Sequence, residues 1–215
     1  ATGGRRVKER GTARLISPDI QFVASAANIE DPWRLMNPVC YREPMAPYAA
    51  SLRAHQPIRW DGVVRAFRTL VHRHAFLIVE GIGGLLVPLS RHRTVAHLIR
   101  MLGLPVLIVS RQRLGTLNHT LLTVRQAQQE GLSVLGVVLN EADAPALSPV
   151  ARIAERTNAA ILQQCLPVPL LGSLPYEPTL SNGSCNSNAL RMWARTGLSP
   201  IFLQWVHANG SHTLS

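Results

Sequence analysis

Lysine is almost missing from this sequence: Lys8 is the single one in 215 residues, and every other basic side chain is an arginine. No GxxxxGK[ST] phosphate loop occurs in it, and the one lysine has no such setting. Cysteine is scarce as well. Cys40, Cys165 and Cys185 are odd in number and far apart, without CxxC or zinc-type spacing, which disfavours a disulfide framework and a structural zinc site and leaves reduced thiols. No stretch approaches the ~20 apolar residues of a membrane span, and the opening "ATGGRRVKER" holds no apolar signal segment, so the chain reads as cytoplasmic. The GxSxG nucleophile pattern is absent too. His72 and His74 sit two apart on an expected helix and so face different ways, while His92, His97 and His119 have no metal spacing. The net charge of +10, from 22 basic against 12 acidic residues, permits a nucleic-acid partner. The arginines are nevertheless scattered in pairs such as Arg65 with Arg68 and Arg111 with Arg113, without the aromatic interleaving of single-strand binders, so nucleic acid is set aside.

Apolar residues make up 47% of the chain, enough to bury one substantial core in a single compact domain. From Asp61 onward, short solid apolar runs alternate with helix-like spacing. The expected strands are "FLIVE" (76–80), "LPVLIVS" (104–110), "SVLGVVLN" (133–140) and "VPLLGSLP" (168–175). The expected helices are "DGVVRAFRTLVHRHA" ahead of the first strand and "TVAHLIRMLG", "LNHTLLTVRQAQQEG" and "SPVARIAERTNAAILQQC" between the strands. Solid strands joined by helical crossovers predict an α/β fold with a doubly wound parallel sheet. Residues 1–60 are broken by Pro18, Pro32, Pro38, Pro44, Pro47 and Pro57 and read as loops with one short helix near "PDIQFVASAAN". "SNGSCNSN" (181–188) reads as a turn or linker ahead of a C-terminal stretch whose role the sequence leaves open.

In such a sheet ligands gather beyond the carboxyl ends of the strands. Glu80, followed by Gly81 and Gly83, suits a magnesium ion beside nucleotide phosphates, or equally a cap for nearby backbone amides. Gly115 and Thr116 precede a helix whose free amides make an anion site, or form an ordinary glycine turn. Asn140 can read a purine edge or serve as a turn residue, and Pro175 with Tyr176 ends the last strand.

Taken together these segments resemble the dethiobiotin synthetase family of P-loop ATP-dependent ligases. The resemblance is carried by "NPVCYREPMAPYAA" (37–50), "VEGIGGLLVPL" (79–89), "LGLPVLIVSRQRLGTLNHTLLT" (102–123), "GVVLN" (136–140) and "PLLGSLPY" (169–176), and covers residues 1–180. It implies a P-loop NTPase-like sheet and an enzyme that carboxylates 7,8-diaminononanoate with CO2, phosphorylates the carbamate with ATP as substrate, and closes a ureido ring in biotin biosynthesis, without an organic cofactor. By the resemblance Asp19 and Glu80 hold Mg2+. Gly81, Ile82 and Gly83 lie along the ATP, and Asn140, Glu141, Pro175 and Tyr176 address its adenine end. Thr2 touches the diamine or its carbamate. Gly115, Thr116 and Asn118 bind the far carboxylate of the diamine across a homodimer interface.

This sequence departs from the family pattern in lacking the phosphate loop and the Lys-Pro-Val step that comes just before the residues "ATGG" resembles. The expectation is that the family's first strand, phosphate loop, first helix and second strand lie upstream of Ala1, and that the 215 residues alone are inactive. No catalytic residue is therefore assigned within them. Smaller departures are Ile82, where alanine is common, and His97, where an acidic residue is more usual. The expected layout is a truncated synthetase-like domain over 1–180 and a divergent tail over 181–215. The alternative is a catalytically dead homologue or fragment that binds nucleotide and substrate as a dimer partner.

Overall fold

The structure, a computed structural model, describes residues 1–9, 11–144, 148–181 and 187–210; Cys185 and residues 182–186 of the expected linker lie outside the described residues. The chain forms two compact units, one of Ala1–Leu102 with the described residues from Asn209 on, and one of Gly103–Ala208.

The first unit opens with an antiparallel hairpin, β1 (Arg5–Glu9) and β2 (Thr12–Ile16), in the register Glu9↔Thr12. Helix α1 (Pro18–Ala27) follows, with Pro18 in its first turn and the Ser17 hydroxyl accepting the Asp19 N–H at 3.3 Å. Asn28, at φ 52°, closes it by donating its N–H back to the last turn. Pro32 precedes α2 (Trp33–Met36), and Pro47 starts α3 (Pro47–Arg53). The expectation of a loop-rich N-terminal region is thus corrected. Three of its prolines mark helix starts, where their missing N–H is not needed. Helix α4 (Trp60–Val71) buries Ala66 and Leu70 and stops before His72. His74 consequently lies beyond the helix, paired with Asp31.

Phe76–Glu80 is not a strand, which corrects the sequence reading. Ile78 is 78% exposed, and no strand pairs with this run among the described residues. Apolar side chains suit a buried strand, but a ladder partner is what makes one. Beyond it come a short pair, β3 (Pro88–Ser90) with β4 (Arg93–Thr94), and α5 (Val95–Leu102).

The second unit holds the parallel α/β sheet. Strand β5 (Val106–Arg111), α6 (Thr116–Gln129), β6 (Val134–Asn140), α7 (Pro149–Cys165) and β7 (Leu170–Leu174) alternate, with strand order β5-β6-β7. These three expected strands and their two crossover helices form within a residue or two of their sequence bounds. The core gathers Ile108, Val124 and Val137 with Val106, Val134, Leu166, Val168 and Leu170. Each fully buried aliphatic side chain contributes about 1.5–3 kcal/mol, and Val137 and Leu139 on the central strand are 0% exposed. The segments α8 (Pro178–Ser181), α9 (Ser187–Gly197) and α10 (Pro200–Gly210) complete the chain. No helix among the described residues is long and apolar enough to cross a membrane. Cys40 and Cys165 are free thiols.

Candidate functional site

Parallel pairing brings the strand ends of the second unit level. Arg111 pairs with Asn140, and Asn140 with Leu174, so the residues following β6 and β7 emerge side by side. The Glu141 N–H donates to Leu174 O at 2.9 Å, and the Tyr176 N–H donates to a Glu141 carboxylate oxygen at 3.4 Å. The backbone carbonyl of Asn140 accepts the Gln112 N–H at 3.1 Å, whereas its side-chain amide bonds nothing among the described residues. Asn140, Glu141, Pro175 and Tyr176 therefore share one edge, with an amide free to donate to and accept from a planar heterocycle.

The loop after β5 is held more tightly than its sequence suggests. Gln112 is buried; its side-chain amide donates to Glu155 O at 2.6 Å, and its Oε1 has no partner among the described residues. The Arg113 guanidinium pairs with the Glu155 carboxylate and donates to Ala144 O at 2.7 Å, while Asn158 Nδ2 donates to Arg113 O at 3.2 Å. Arg111 pairs with Asp143, and that hydrogen bond holds the Asp143 carboxyl below the usual aspartate range. None of Gln112, Arg113, Glu155 or Asn158 was singled out from sequence as a site residue. Links between residues more than 40 apart leave no local pattern.

Gly115, at φ 93°, caps α6 in a conformation that favours glycine. Thr116 is 5% exposed, and its hydroxyl lies 3.4 Å from that of Thr120, which donates to Ser110 Oγ at 2.8 Å. The Thr116 hydroxyl is thus engaged inside the unit, and its N–H donates to Arg113 O. The backbone amides of Leu117 and Asn118 have no acceptor among the described residues, and they are the donors that an anion at this helix start would meet.

In the first unit Thr2 lies in the stretch running beside residues 39–43, where Gly4 N–H donates to Tyr41 O and Tyr41 N–H to Ala1 O. Asp19 is exposed on the first turn of α1, accepting the Ser17 hydroxyl at 3.1 Å. Glu80 is exposed and makes no hydrogen bond or ion pair among the described residues. Among the described residues it caps no backbone amide. Gly81, Ile82 and Gly83 follow in a loop stapled to α5 by Ala96 N–H to Leu85 O at 2.9 Å and Val95 N–H to Val87 O at 3.1 Å. No group of three or more His, Cys, Asp or Glu side chains is arranged to hold a metal among the described residues.

The model of a family described as an AAA domain matches residues 8–184. An ATP-dependent dethiobiotin synthetase of Thermodesulfovibrio yellowstonii is 34% identical over 200 residues, spanning 88% of this chain and 82% of that protein. One from Anaeromyxobacter dehalogenans (strain 2CP-1) is 39% identical over 163 residues, 76% of this chain and 71% of its own length. The chain belongs to the dethiobiotin synthetase family. A synthetase of the same name from Nitrosopumilus maritimus is 29% identical over 170 residues, 79% of this chain and 72% of its own length. The α/β architecture with its parallel sheet agrees with that membership.

Proposed function

We propose that this chain serves an ATP- and Mg2+-dependent dethiobiotin synthase, a cytoplasmic homodimer that forms the ureido ring from 7,8-diaminononanoate and CO2. The observation that carries the reading is the unengaged Asn140 amide, level with Glu141, Pro175 and Tyr176 at the carboxyl ends of adjacent parallel strands. In this reading that edge of the second unit takes the adenine, and the Leu117 and Asn118 amides, beside Gly115 and Thr116, receive the diamine's carboxylate. For the first unit the family resemblance alone proposes that Gly81, Ile82 and Gly83 follow phosphates and that Thr2 meets an amine or carbamate.

Magnesium fits the donors present. Glu80 offers an exposed carboxylate without a partner among the described residues, and Asp19 offers a second on a helix first turn. Mg2+ usually keeps several waters and takes one or two protein carboxylates beside phosphate oxygens, so the lack of a larger ligand cluster is no obstacle. When bound it would neutralise phosphate charge during transfer.

A second reading is favoured by one observation: Lys8, the only lysine, stands exposed on β1. No GxxxxGK[ST] loop surrounds it, and in this reading the chain binds ATP and diamine as a dimer partner without turning them over.

Calorimetric titration of MgATP into wild type and Asn140→Ala tests the primary reading. ATP should bind wild type and weaken by about three- to thirtyfold in the variant, as expected for hydrogen bonds to a base. No binding to wild type, or equal binding to both, contradicts it. ADP release in the presence of diamine and CO2 separates turnover from binding alone.

A further inference from the structure

Helix α9 and the two residues after it lie against β7, in a part of the chain to which the sequence reading gave no role. The outer edge of β7 is taken by Leu198 and Ser199. Leu198 bridges Gly172 in antiparallel sense, and the Ser199 N–H donates to Leu171 O at 2.7 Å. That approach requires two glycines. A Cβ on Gly172 would sit 2.1 Å from Gly197 O, and one on Gly197 would sit 2.4 Å from Ser173 O. The less exposed residues of α9 are Leu190, Trp193, Ala194 and Gly197, spaced as one helical face. From that face the Trp193 indole N–H donates to Pro175 O at 2.9 Å.

We propose that Trp193 is a positioning residue for the nucleobase edge, and that α9 forms the outer support of that edge. This rests on the adenine reading given above. The two-residue step Pro175–Tyr176 is held from both directions: Glu141 takes the Tyr176 N–H from the β6 side, and Trp193 fixes the Pro175 carbonyl from α9. A loop restrained at both peptide ends presents a fixed wall to a planar base, and fixed walls discriminate bases better than mobile ones. Trp193 touches no substrate in this account. It acts through Pro175, so its removal alters the recognition of the base and leaves the phosphate contacts intact.

The test is titration of MgATP, MgGTP and Mg-tripolyphosphate into wild type and Trp193→Phe, which keeps an aromatic ring and removes the donor. ATP affinity should fall about three- to tenfold, as for one lost hydrogen bond, and the preference for ATP over GTP should narrow. Tripolyphosphate, which has no base, should bind both proteins equally. In parallel, hydrogen exchange on wild type alone should show residues 187–199 slowed by ATP and unaffected by tripolyphosphate, a readout that needs no variant to fold. If wild type binds no ATP, the adenine reading fails and this inference fails with it. If wild type binds ATP but Trp193→Phe leaves affinity and preference unchanged, weakens tripolyphosphate as much as ATP, or ATP leaves exchange in 187–199 unaltered, this inference alone is overturned.

Discussion

The Arg113 guanidinium, two residues past β5, meets the Glu155 carboxylate in the second turn of α7, 42 residues further along the chain. With Asn158 Nδ2 on Arg113 O and Gln112 Nε2 on Glu155 O, it locks the turn that leads into Gly115 and α6. Side-chain exposures of 31% and 13% place the pair partly out of water, where breaking a charged hydrogen bond costs about 1.5–3 kcal/mol. Glu155→Ala should lower the thermal midpoint and weaken 7,8-diaminononanoate binding, while ATP affinity stays within about twofold, since the ATP edge has its own restraints. Equal weakening of both ligands in a titration series would argue that the pair only holds the unit together.

Glu80 gives the opposite expectation. Because it makes no hydrogen bond or ion pair among the described residues, Glu80→Gln should leave the thermal midpoint within about 2 °C of wild type. The strengthening of ATP binding by Mg2+ should fall on the order of tenfold or more, as a hard cation loses a charged oxygen. A midpoint clearly lowered with Mg2+ dependence intact would remove Glu80 from the metal site.

Asp31 supplies a pH-dependent contribution to stability. Its carboxyl is held below the ordinary aspartate range first by the hydrogen bond from Arg73 and also by His74, with burial opposing. A depressed folded-state value means that the stabilisation is present above the unfolded value of about 3.9 and is lost as pH falls through the lower folded value. Asp31→Asn should therefore be less stable than wild type at pH 7, by about 1.5–3 kcal/mol, with the gap closing in acid. Denaturant curves at pH 7, 5 and 3 check this, and a gap that widens in acid contradicts the sign.

Leu114 is 82% exposed and Leu122 55% exposed, with Asn118 four residues from each. Leu122 lies one helical turn beyond Asn118 on α6 and Leu114 precedes the helix, so exposed apolar side chains flank one of the residues proposed to bind substrate. Light scattering should find a dimer for wild type and a shift toward monomer for Leu122→Asp. A monomeric wild type at working concentrations removes Asn118 from a shared site.

The parts of this fold that were legible in sequence are those set by local pattern. The short helix expected near "PDIQFVASAAN" forms as α1, which Ser17 and Pro18 open and Asn28 closes. Strands β6 and β7 and the helix between them followed from solid apolar runs and helical spacing. Phe76–Glu80 was misread because its composition says strand while pairing requires a neighbour that composition cannot reveal. The hairpin of β1 and β2 went unseen because "RRVKE" and "TARLI" show no apolar alternation, and register alone joins them. At the site, Asn140 and Pro175–Tyr176 could be placed from the rule about strand ends. The Trp193 contact with Pro175 and the Arg113 clamp could not, since each depends on a side chain reaching across the fold.

The central claim is tested most directly by titrating 7,8-diaminononanoate into the 215-residue chain saturated with MgATP, beside a nonane diamine that lacks the carboxylate. The account predicts saturable binding of the amino acid, with affinity reduced on the order of tenfold or more for the diamine once its carboxylate no longer meets the Leu117 and Asn118 amides. No saturable binding of 7,8-diaminononanoate, or equal binding of the two compounds, would contradict it.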